Sequence, residues 1–244
     1  MTGEIKNKLG ERIDYAFHTG GKFPKAVVVL GHGVTGNKDR PFVVALAEAL
    51  ARAGINALRI SFSGNGGSGG RFVDSTVSKE IDDLGAVLDA AQKNHPTVVY
   101  LGHSMGGAVG VLRASRDARI KFLVSLAGMV NTAEFARREF GMVTPGAGFM
   151  WDDEQCPLSQ AYMDDMAKIG TVAGRAKDIR VPWLLVHGSE DDVVPISDSR
   201  EIFAQANQPK QLVELPGSNH VFAGEHTQKM IDAVVPWIAA RLAS

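Results

Sequence analysis

The chain has 244 residues, of which 45% are hydrophobic and 22% charged, and its formal net charge is −1, a composition typical of one globular domain over residues 1–244. This balance offers no basic surface for nucleic acid or lipid, and no apolar run approaches the roughly 20 residues that cross a bilayer. The single Cys156 excludes an internal disulfide, and we expect a cytoplasmic protein because the N-terminus lacks the apolar core of a secretion signal.

Strand-like and helix-like segments alternate along the chain. Apolar runs predict strands at 3–8, 11–17, 26–30, 55–61, 97–101, 121–126, 181–187 and 210–215. Helical patterns cover about 40–53, 78–94, 104–116, 197–206 and 224–242. The first two strands predict a hairpin, and the later strands lack strict alternation, as expected for strands covered on both faces. The order predicts an α/β fold with a mostly parallel central sheet, helices on both faces, and functional residues at the carboxyl ends of the strands.

One segment interrupts this alternation. Residues 129–178 separate two strong strands by more than an ordinary crossover and are rich in aromatic residues and methionine. We interpret the segment as a small helical cap inserted over the strand ends. Phe149, Met150 and Trp151 are our candidates for the wall of a substrate pocket, since such side chains make adaptable apolar walls. Its acidic groups at 152–154 and 164–165 are expected to face solvent.

A glycine pattern at 31–36 raises the possibility of a dinucleotide site. The residues match G-x-G-x-x-G, follow the strand at 26–30 and precede a helix, which is the context of a nicotinamide-binding turn. Such a fold also needs an acidic residue at the end of the next strand. The strand at 55–61 offers none, and a hairpin precedes the pattern. A dinucleotide-binding oxidoreductase is therefore disfavoured, and we predict no cofactor.

The seven residues Leu101-Gly102-His103-Ser104-Met105-Gly106-Gly107 carry the strongest signal for chemistry. They follow an apolar strand and precede a helix, so that a serine lies at the apex of a sharp turn between two glycines. That turn exposes the hydroxyl above the sheet at the positive end of the new helix, which suits a nucleophile.

A serine hydroxyl needs a base to accept its proton and an acid to orient that base. Asp191 follows the strand at 181–187, and His220 follows the strand at 210–215. The order is therefore Ser104, Asp191, His220, with each residue at a predicted strand end. The spacing to Val194-Pro195 favours Asp191, while Asp192 and Glu190 remain alternatives. His226, which competes with His220, is expected in the first turn of the last helix.

These elements resemble the α/β-hydrolases. The resemblance rests on the G-x-S-x-G turn, the order of the three residues, the strand that ends in H-G-x-x-D-x-x-V-P, and the late histidine. It implies that Ser104 attacks an acyl carbon, that His220 is the base and that Asp191 orients His220. It further implies that the backbone N–H groups of Val34 and Met105 form the oxyanion hole.

The segments 32–38 and 64–72 resemble those of small bacterial feruloyl or cinnamoyl esterases and related acyl hydrolases. The predicted function is hydrolysis of a small-molecule carboxylic ester with a small or medium apolar acyl group, through an acyl-enzyme. A thioesterase or acyltransferase would use the same three residues, and a non-catalytic binding protein with this fold is a further alternative. We predict no metal and no nucleic-acid or membrane partner, and the sequence does not specify an oligomeric state.

Overall fold

Eight strands form one sheet in the computed structural model, which describes residues 3–244. The first two residues of the predicted domain 1–244 lie outside that range. The strands are β1 (Ile5–Lys6), β2 (Arg12–His18), β3 (Phe23–Gly31), β4 (Ile55–Ser61), β5 (Thr97–His103), β6 (Ile120–Leu126), β7 (Trp183–Gly188) and β8 (Lys210–Leu215). Their order is β1-β2-β4-β3-β5-β6-β7-β8. The β1–β2 and β2–β4 pairs are antiparallel and the others are parallel, which confirms the predicted mostly parallel sheet.

Helices cover both faces of this sheet. They are α1 (Pro41–Arg52), α2 (Val77–Gln92), α3 (Met105–Ala114), α4 (Thr132–Phe140), α5 (Gln160–Ile169), α6 (Ile196–Gln205) and α7 (His226–Ala243). Val28 and Leu30 of β3 pack in the core with α1 and α7, whereas Val27 and Val29 pack with α2 and α3. Because successive strand residues point to opposite faces, β3 is apolar throughout its buried half. Within residues 3–244, no helix combines the length and apolar character needed to cross a membrane.

The carboxyl ends of the parallel strands meet at one edge of the sheet. Gly31 pairs with Gly102, His103 pairs with Leu126, and Gly188 pairs with Leu215. The loops that follow β3, β5, β7 and β8 consequently emerge side by side. This alignment brings together residues that are far apart in sequence.

The segment between β6 and β7 contains α4 and α5 and short 3-10 turns. Its beginning is attached to the body through Asp198 of α6, whose carboxylate accepts hydrogen bonds from the N–H groups of Val130 and Asn131 at 2.9 and 3.1 Å. Asp165 of α5 accepts from the N–H and hydroxyl of Ser78 at the start of α2, at 2.9 and 2.6 Å. This contact corrects the expectation that Asp165 is merely solvated, because its carboxylate binds the free N–H of a helix terminus.

Candidate active site

Ser104 lies at the apex of the sharp turn between β5 and α3. Its backbone has φ 54° and ψ −120°, a conformation that costs a non-glycine residue on the order of 1–3 kcal/mol. The Ser104 N–H donates to the carbonyl of Leu126 at 3.0 Å, and the Ser104 carbonyl accepts from the N–H groups of Gly107 at 2.8 Å and Met129 at 3.0 Å. The strained turn is therefore held in place by the end of the neighbouring strand β6.

The two glycines of the G-x-S-x-G turn are required by close packing of the backbone. A Cβ on Gly102 would overlap the carbonyl of Gly106, and a Cβ on Gly106 would lie 2.5 Å from the carbonyl oxygen of His32. Any larger side chain at either position would push β5, α3 and the loop after β3 apart. The spacing seen in the sequence is thus explained by how tightly the turn is packed.

Asp191 lies in the loop between β7 and α6, with its carboxylate completely buried. Oδ1 accepts the N–H groups of Val193 and Val194 at 3.0 and 2.8 Å, and Oδ2 accepts from Nδ1 of His220 at 2.8 Å. Burial works to raise the pKa of Asp191, but contacts from His187 and His220 outweigh it and hold that pKa well below its ordinary value. Asp191 is therefore ionised at neutral pH, and it is this carboxylate, not that of exposed Asp192 or Glu190, that contacts His220.

His220 follows β8 and is almost completely buried. Since an ionised carboxylate only accepts hydrogen bonds, Nδ1 of His220 carries the proton that it donates to Asp191. When Nδ1 holds the one ring proton, Nε2 has a free lone pair, which is what a general base needs. The competing residue His226 begins α7, as the sequence predicts.

His103, next to Ser104 in the chain, fixes the backbone of His220. Burial lowers the pKa of His103 to about 3, so its ring is neutral near pH 7. Its Nε2 donates to the carbonyl oxygen of His220 at 2.9 Å, and the two rings pack with centroids 4.6 Å apart.

One cavity of about 330 Å³ has both Ser104 and His220 in its wall. Phe42, Val193 and Val221 supply apolar surface to the same wall. Among the described residues, no hydrogen bond joins Ser104 Oγ to His220, and such bonds often tighten only when substrate binds. The predicted serine and histidine thus share one cavity, and the predicted acid is hydrogen-bonded to that histidine from behind the cavity wall.

The loop after β3 passes directly beside Ser104. A Cβ on Gly33 would lie 2.7 Å from Cβ of Ser104, and Val34, the next residue, lines the cavity. Met105 is the first residue of α3, where backbone N–H groups are free of intrahelical partners. The two predicted oxyanion-hole residues therefore flank Ser104 from different elements.

His187, near the end of strand β7, makes a contact with Asp191 that the sequence analysis did not predict. It is completely buried, and its Nε2 donates to the carbonyl of Val194 at 2.9 Å and lies 3.2 Å from Oδ2 of Asp191. The Ser199 hydroxyl lies 2.7 Å from Nδ1. His187 thus closes the turn that holds Asp191. Its position four residues before the acid was the available signal.

The three pocket candidates from residues 129–178 have different positions. Trp151 lines the cavity that contains Ser104, and its Nε1 donates to Glu139 at 3.0 Å. Met150 instead lines a much smaller cavity together with Val34 and Met105. Phe149 lines neither of the two and forms an isolated bridge with Pro157. The backbone of Trp151 has φ 50°, which turns the chain so that adjacent side chains point in different directions.

The smaller cavity also contains Glu80 of α2, whose carboxyl group is fully buried with no hydrogen-bond partner among residues 3–244. Burial, with a smaller contribution from the charge of Asp83, raises the pKa of Glu80 well above its ordinary value of 4.5. An acid with a raised pKa in the folded state holds its proton more tightly there than in the unfolded chain. It therefore stabilises the fold fully only below pH 4.5, and that stability is lost as the pH rises.

Replacing Glu80 with glutamine is expected to make stability less sensitive to pH. Between pH 5 and 8 the wild-type free energy of unfolding should fall relative to that of Glu80→Gln, by at most about 1.4 kcal/mol per pH unit. Urea unfolding of both proteins at pH 5 and pH 8 measures this difference. Glu134→Gln at an exposed position of α4 is the control, and equal pH dependence of wild type and Glu80→Gln would contradict the argument.

The glycine pattern at 31–36 lies beside Ser104 in the wall of the same cavity. The next strand, β4, ends at Ser61, and its Arg59 is engaged by Asp39 at 2.8 Å and by His18 at 2.9 Å. Neither Ser61 nor Arg59 is the acid that a dinucleotide ribose requires at the end of this strand. No cluster of three or more histidine, cysteine, aspartate or glutamate residues with metal-binding geometry occurs in the described part of the chain.

Sequence comparison identifies one matching family. The sequence model of the family described as serine aminopeptidase, S33 (Hydrolase_4), matches residues 22–152 and 154–227. A monoacylglycerol lipase of Mycolicibacterium smegmatis is 28% identical in an alignment that is 267 positions long with its gaps and that covers 96% of this chain and 95% of that protein. An uncharacterized protein of Salmonella typhimurium is 27% identical, with 90% of this chain and 73% of that protein covered.

Solved structures share the fold over the whole chain. Est1E from Butyrivibrio proteoclasticus with ferulic acid bound has a TM-score of 0.86 and 26% identity, covering 100% of both chains. A monoacylglycerol lipase of Paleococcus ferrophilus has a TM-score of 0.75 and 21% identity, with 93% of this chain and 98% of that chain covered. The latter likeness bears on the fold alone.

Proposed function

The chain belongs to the α/β-hydrolase family described as serine aminopeptidase, S33, and is a hydrolase; within that family we propose that it cleaves carboxylic esters through Ser104, His220 and Asp191. The observation that carries the proposal is that Ser104 and His220 line one cavity while His220 is hydrogen-bonded to the buried carboxylate of Asp191. A relative named as a monoacylglycerol lipase and a similar solved structure with ferulic acid bound support an ester of a carboxylic acid as the substrate.

Acylation begins with attack of Ser104 Oγ on the ester carbonyl carbon. Nε2 of His220 accepts the hydroxyl proton as the new C–O bond forms, and Asp191 stabilises the resulting imidazolium. The tetrahedral intermediate then collapses. The bond to the alcohol oxygen breaks, and His220 returns the proton to that oxygen as the alcohol leaves.

Negative charge develops on the carbonyl oxygen in the tetrahedral intermediate. The N–H groups of Val34 and Met105 are our proposed donors to this oxygen, since the loop that contains Val34 passes beside Ser104 and Met105 directly follows it at the start of α3. In comparable enzymes the loss of one such donor lowers kcat by about 10²–10³. Because both donors belong to the backbone, valine and methionine side chains at these positions are compatible with the role.

Deacylation repeats the same steps with water as the nucleophile. His220 accepts a proton from water as its oxygen attacks the acyl carbon, and then protonates Ser104 Oγ as the acyl–enzyme bond breaks. The products are the carboxylic acid and the regenerated serine. The cycle uses no cofactor, because each proton moves between groups of the chain and the substrate.

We propose that residues 129–178 act as a cap over this cavity. Trp151 lies in the cavity wall, and its ring packs at 5.0 Å between centroids against Phe140 of α4. With Phe42 and Val221 on the opposite elements, the wall is suited to a small or medium apolar acyl group.

An ester fits this cavity better than the amino terminus of a peptide. An aminopeptidase has to bind a free ammonium group, for which a carboxylate is the usual partner. Among the described residues that line the cavity, none is aspartate or glutamate, whereas Arg40 is cationic. The charge of the wall is therefore opposite to what a peptide amino terminus requires.

A substrate panel tests the proposal. We expect turnover of 4-nitrophenyl esters with an optimum at short or medium acyl chains, and little or no cleavage of aminoacyl 4-nitroanilides. Acyl-coenzyme A thioesters and an added acceptor alcohol in the same panel distinguish a thioesterase or acyltransferase that uses the same residues. Cleavage of the anilides with no ester turnover would contradict the proposed function.

A further inference from the structure

Arg40 is the charged side chain of the cavity wall that the proposed reaction does not use. It directly precedes Pro41, the first residue of α1, and its side chain is exposed to solvent at the cavity that contains Ser104. Its Nη2 donates to the backbone carbonyl of Thr35 at 3.0 Å. That single bond orients the guanidinium along the loop that flanks Ser104 and leaves its remaining N–H groups available.

No carboxylate within residues 3–244 neutralises Arg40 at ion-pair distance. The adjacent Asp39 is directed elsewhere, with its oxygens 2.6 Å from Nζ of Lys38 and 2.8 Å from Nη1 of Arg59. Nζ of Lys38 also lies 3.3 Å from Oδ2 of Asp14. The nearby acids Asp14 and Asp39 are thus engaged by two other cations and form no ion pair with Arg40.

The charge of Arg40 acts on His32, which also lines the cavity, and on Cys156 of residues 129–178. Burial lowers the pKa of His32 to about 4, and Arg40 contributes in the same direction. Burial raises the pKa of Cys156 in the cap to about 11, and Arg40 opposes that rise. Arg40, His32 and Ser104 line the same cavity, so the guanidinium belongs to the wall that a substrate bound at Ser104 faces.

We propose that Arg40 makes this cavity selective for esters that carry a negatively charged group, such as a carboxylate, in addition to the bond that is cleaved. The inference rests on the proposed ester hydrolysis. A guanidinium with free N–H groups binds a carboxylate through two parallel hydrogen bonds. No acidic side chain among the described lining residues opposes this binding. The anionic group belongs either to the acyl part or to the alcohol part of the ester.

Matched pairs of esters test this selectivity and locate the charge. Mono-(4-nitrophenyl) adipate against 4-nitrophenyl hexanoate places a carboxylate on the acyl part, and 4-carboxyphenyl butanoate against phenyl butanoate places it on the alcohol part. The measured quantity is the ratio of kcat/KM for the anionic ester to kcat/KM for the neutral ester. In one of the two pairs, we expect Arg40→Gln to lower this ratio about tenfold, because the variant loses roughly one charge-assisted hydrogen bond. Arg40→Lys should retain part of the preference, and 0.5 M salt should weaken it.

Arg52→Gln at the other end of α1 is the matched control, since Arg52 is exposed and contacts Glu48 at 3.7 Å; it should leave both ratios unchanged. Wild-type ratios in Arg40→Gln for both pairs would overturn the proposal. Calorimetric binding of monomethyl adipate, methyl hexanoate, 4-carboxyphenyl butanoate and phenyl butanoate to Ser104→Ala, with and without Arg40→Gln, measures both preferences without turnover. Failure of all ester turnover would therefore contradict the proposed function separately, while the binding ratios still decide the role of Arg40.

Discussion

Replacing Ser104 with alanine is expected to lower kcat for ester hydrolysis by about 10⁶, the loss that accompanies removal of a catalytic serine in comparable hydrolases. The nucleophilic oxygen is absent in this variant, so no acyl-enzyme can form. Steady-state hydrolysis of a 4-nitrophenyl ester, with a correction for spontaneous hydrolysis, measures the effect. The fold should be retained, because the turn is held by backbone hydrogen bonds to Leu126, Gly107 and Met129 and not by the hydroxyl.

Ser115→Ala is the matched control for this prediction. Ser115 follows the last residue of the same helix α3, and its hydroxyl donates to the carbonyl of Leu112 at 3.1 Å. The variant removes a serine hydroxyl at the opposite end of the helix and should keep wild-type activity. If Ser104→Ala retained substantial turnover while its circular dichroism and melting temperature were unchanged, Ser104 would not be the nucleophile.

Replacing Asp191 with asparagine is expected to lower kcat by about 10⁴, as loss of the orienting acid does in comparable triads. Both carboxylate oxygens of Asp191 accept hydrogen bonds, one from the N–H groups of Val193 and Val194 and the other from His220. An asparagine NH₂ group must face one of these two sets of donors. The His220 ring then loses either its tautomer or its orientation, and the imidazolium loses its counter-charge.

Asp192→Asn tests the choice between adjacent acids. Asp192 is exposed, so its neutralisation should change kcat by less than about twofold. Parallel pH–rate profiles of both variants separate a loss of the base from a general loss of folded protein. A large loss in Asp192→Asn with normal activity in Asp191→Asn would shift the assignment of the acid by one residue.

Much of the fold and the central residues of the site follow from local patterns in the sequence. The buried half of strand β3, Ala26 to Leu30, is a continuous apolar run, and the turn at Ser104 has a spacing that sterics impose on Gly102 and Gly106. Chain order at successive strand ends then predicted that Asp191 and His220 would approach Ser104, because parallel strands bring their carboxyl ends to one edge.

The remaining features depend on long-range contacts and backbone geometry that local patterns do not contain. The burial of His187 against Asp191 follows from the loop after β7 folding back on the strand, and the contact of Asp165 with Ser78 joins residues 87 positions apart. Within residues 129–178, Trp151 and Asp152 have φ values of 50° and 58°. The left-handed backbone conformation of these two residues turns Trp151 and not Phe149 toward the cavity. Neither tryptophan nor aspartate as a residue type predicts that conformation.

The most direct test of the central claim is to identify the residue that a fluorophosphonate modifies. Such reagents bond covalently to a serine oxygen that is activated by a neighbouring base. After reaction with the wild-type protein, digestion and tandem mass spectrometry should place the phosphonate on Ser104. An ester that the enzyme hydrolyses, added before the reagent, should slow the labelling. Absence of label from Ser104 would contradict the account. So would a reagent that inactivates the wild-type protein while it labels Ser104→Ala to the same extent at another residue.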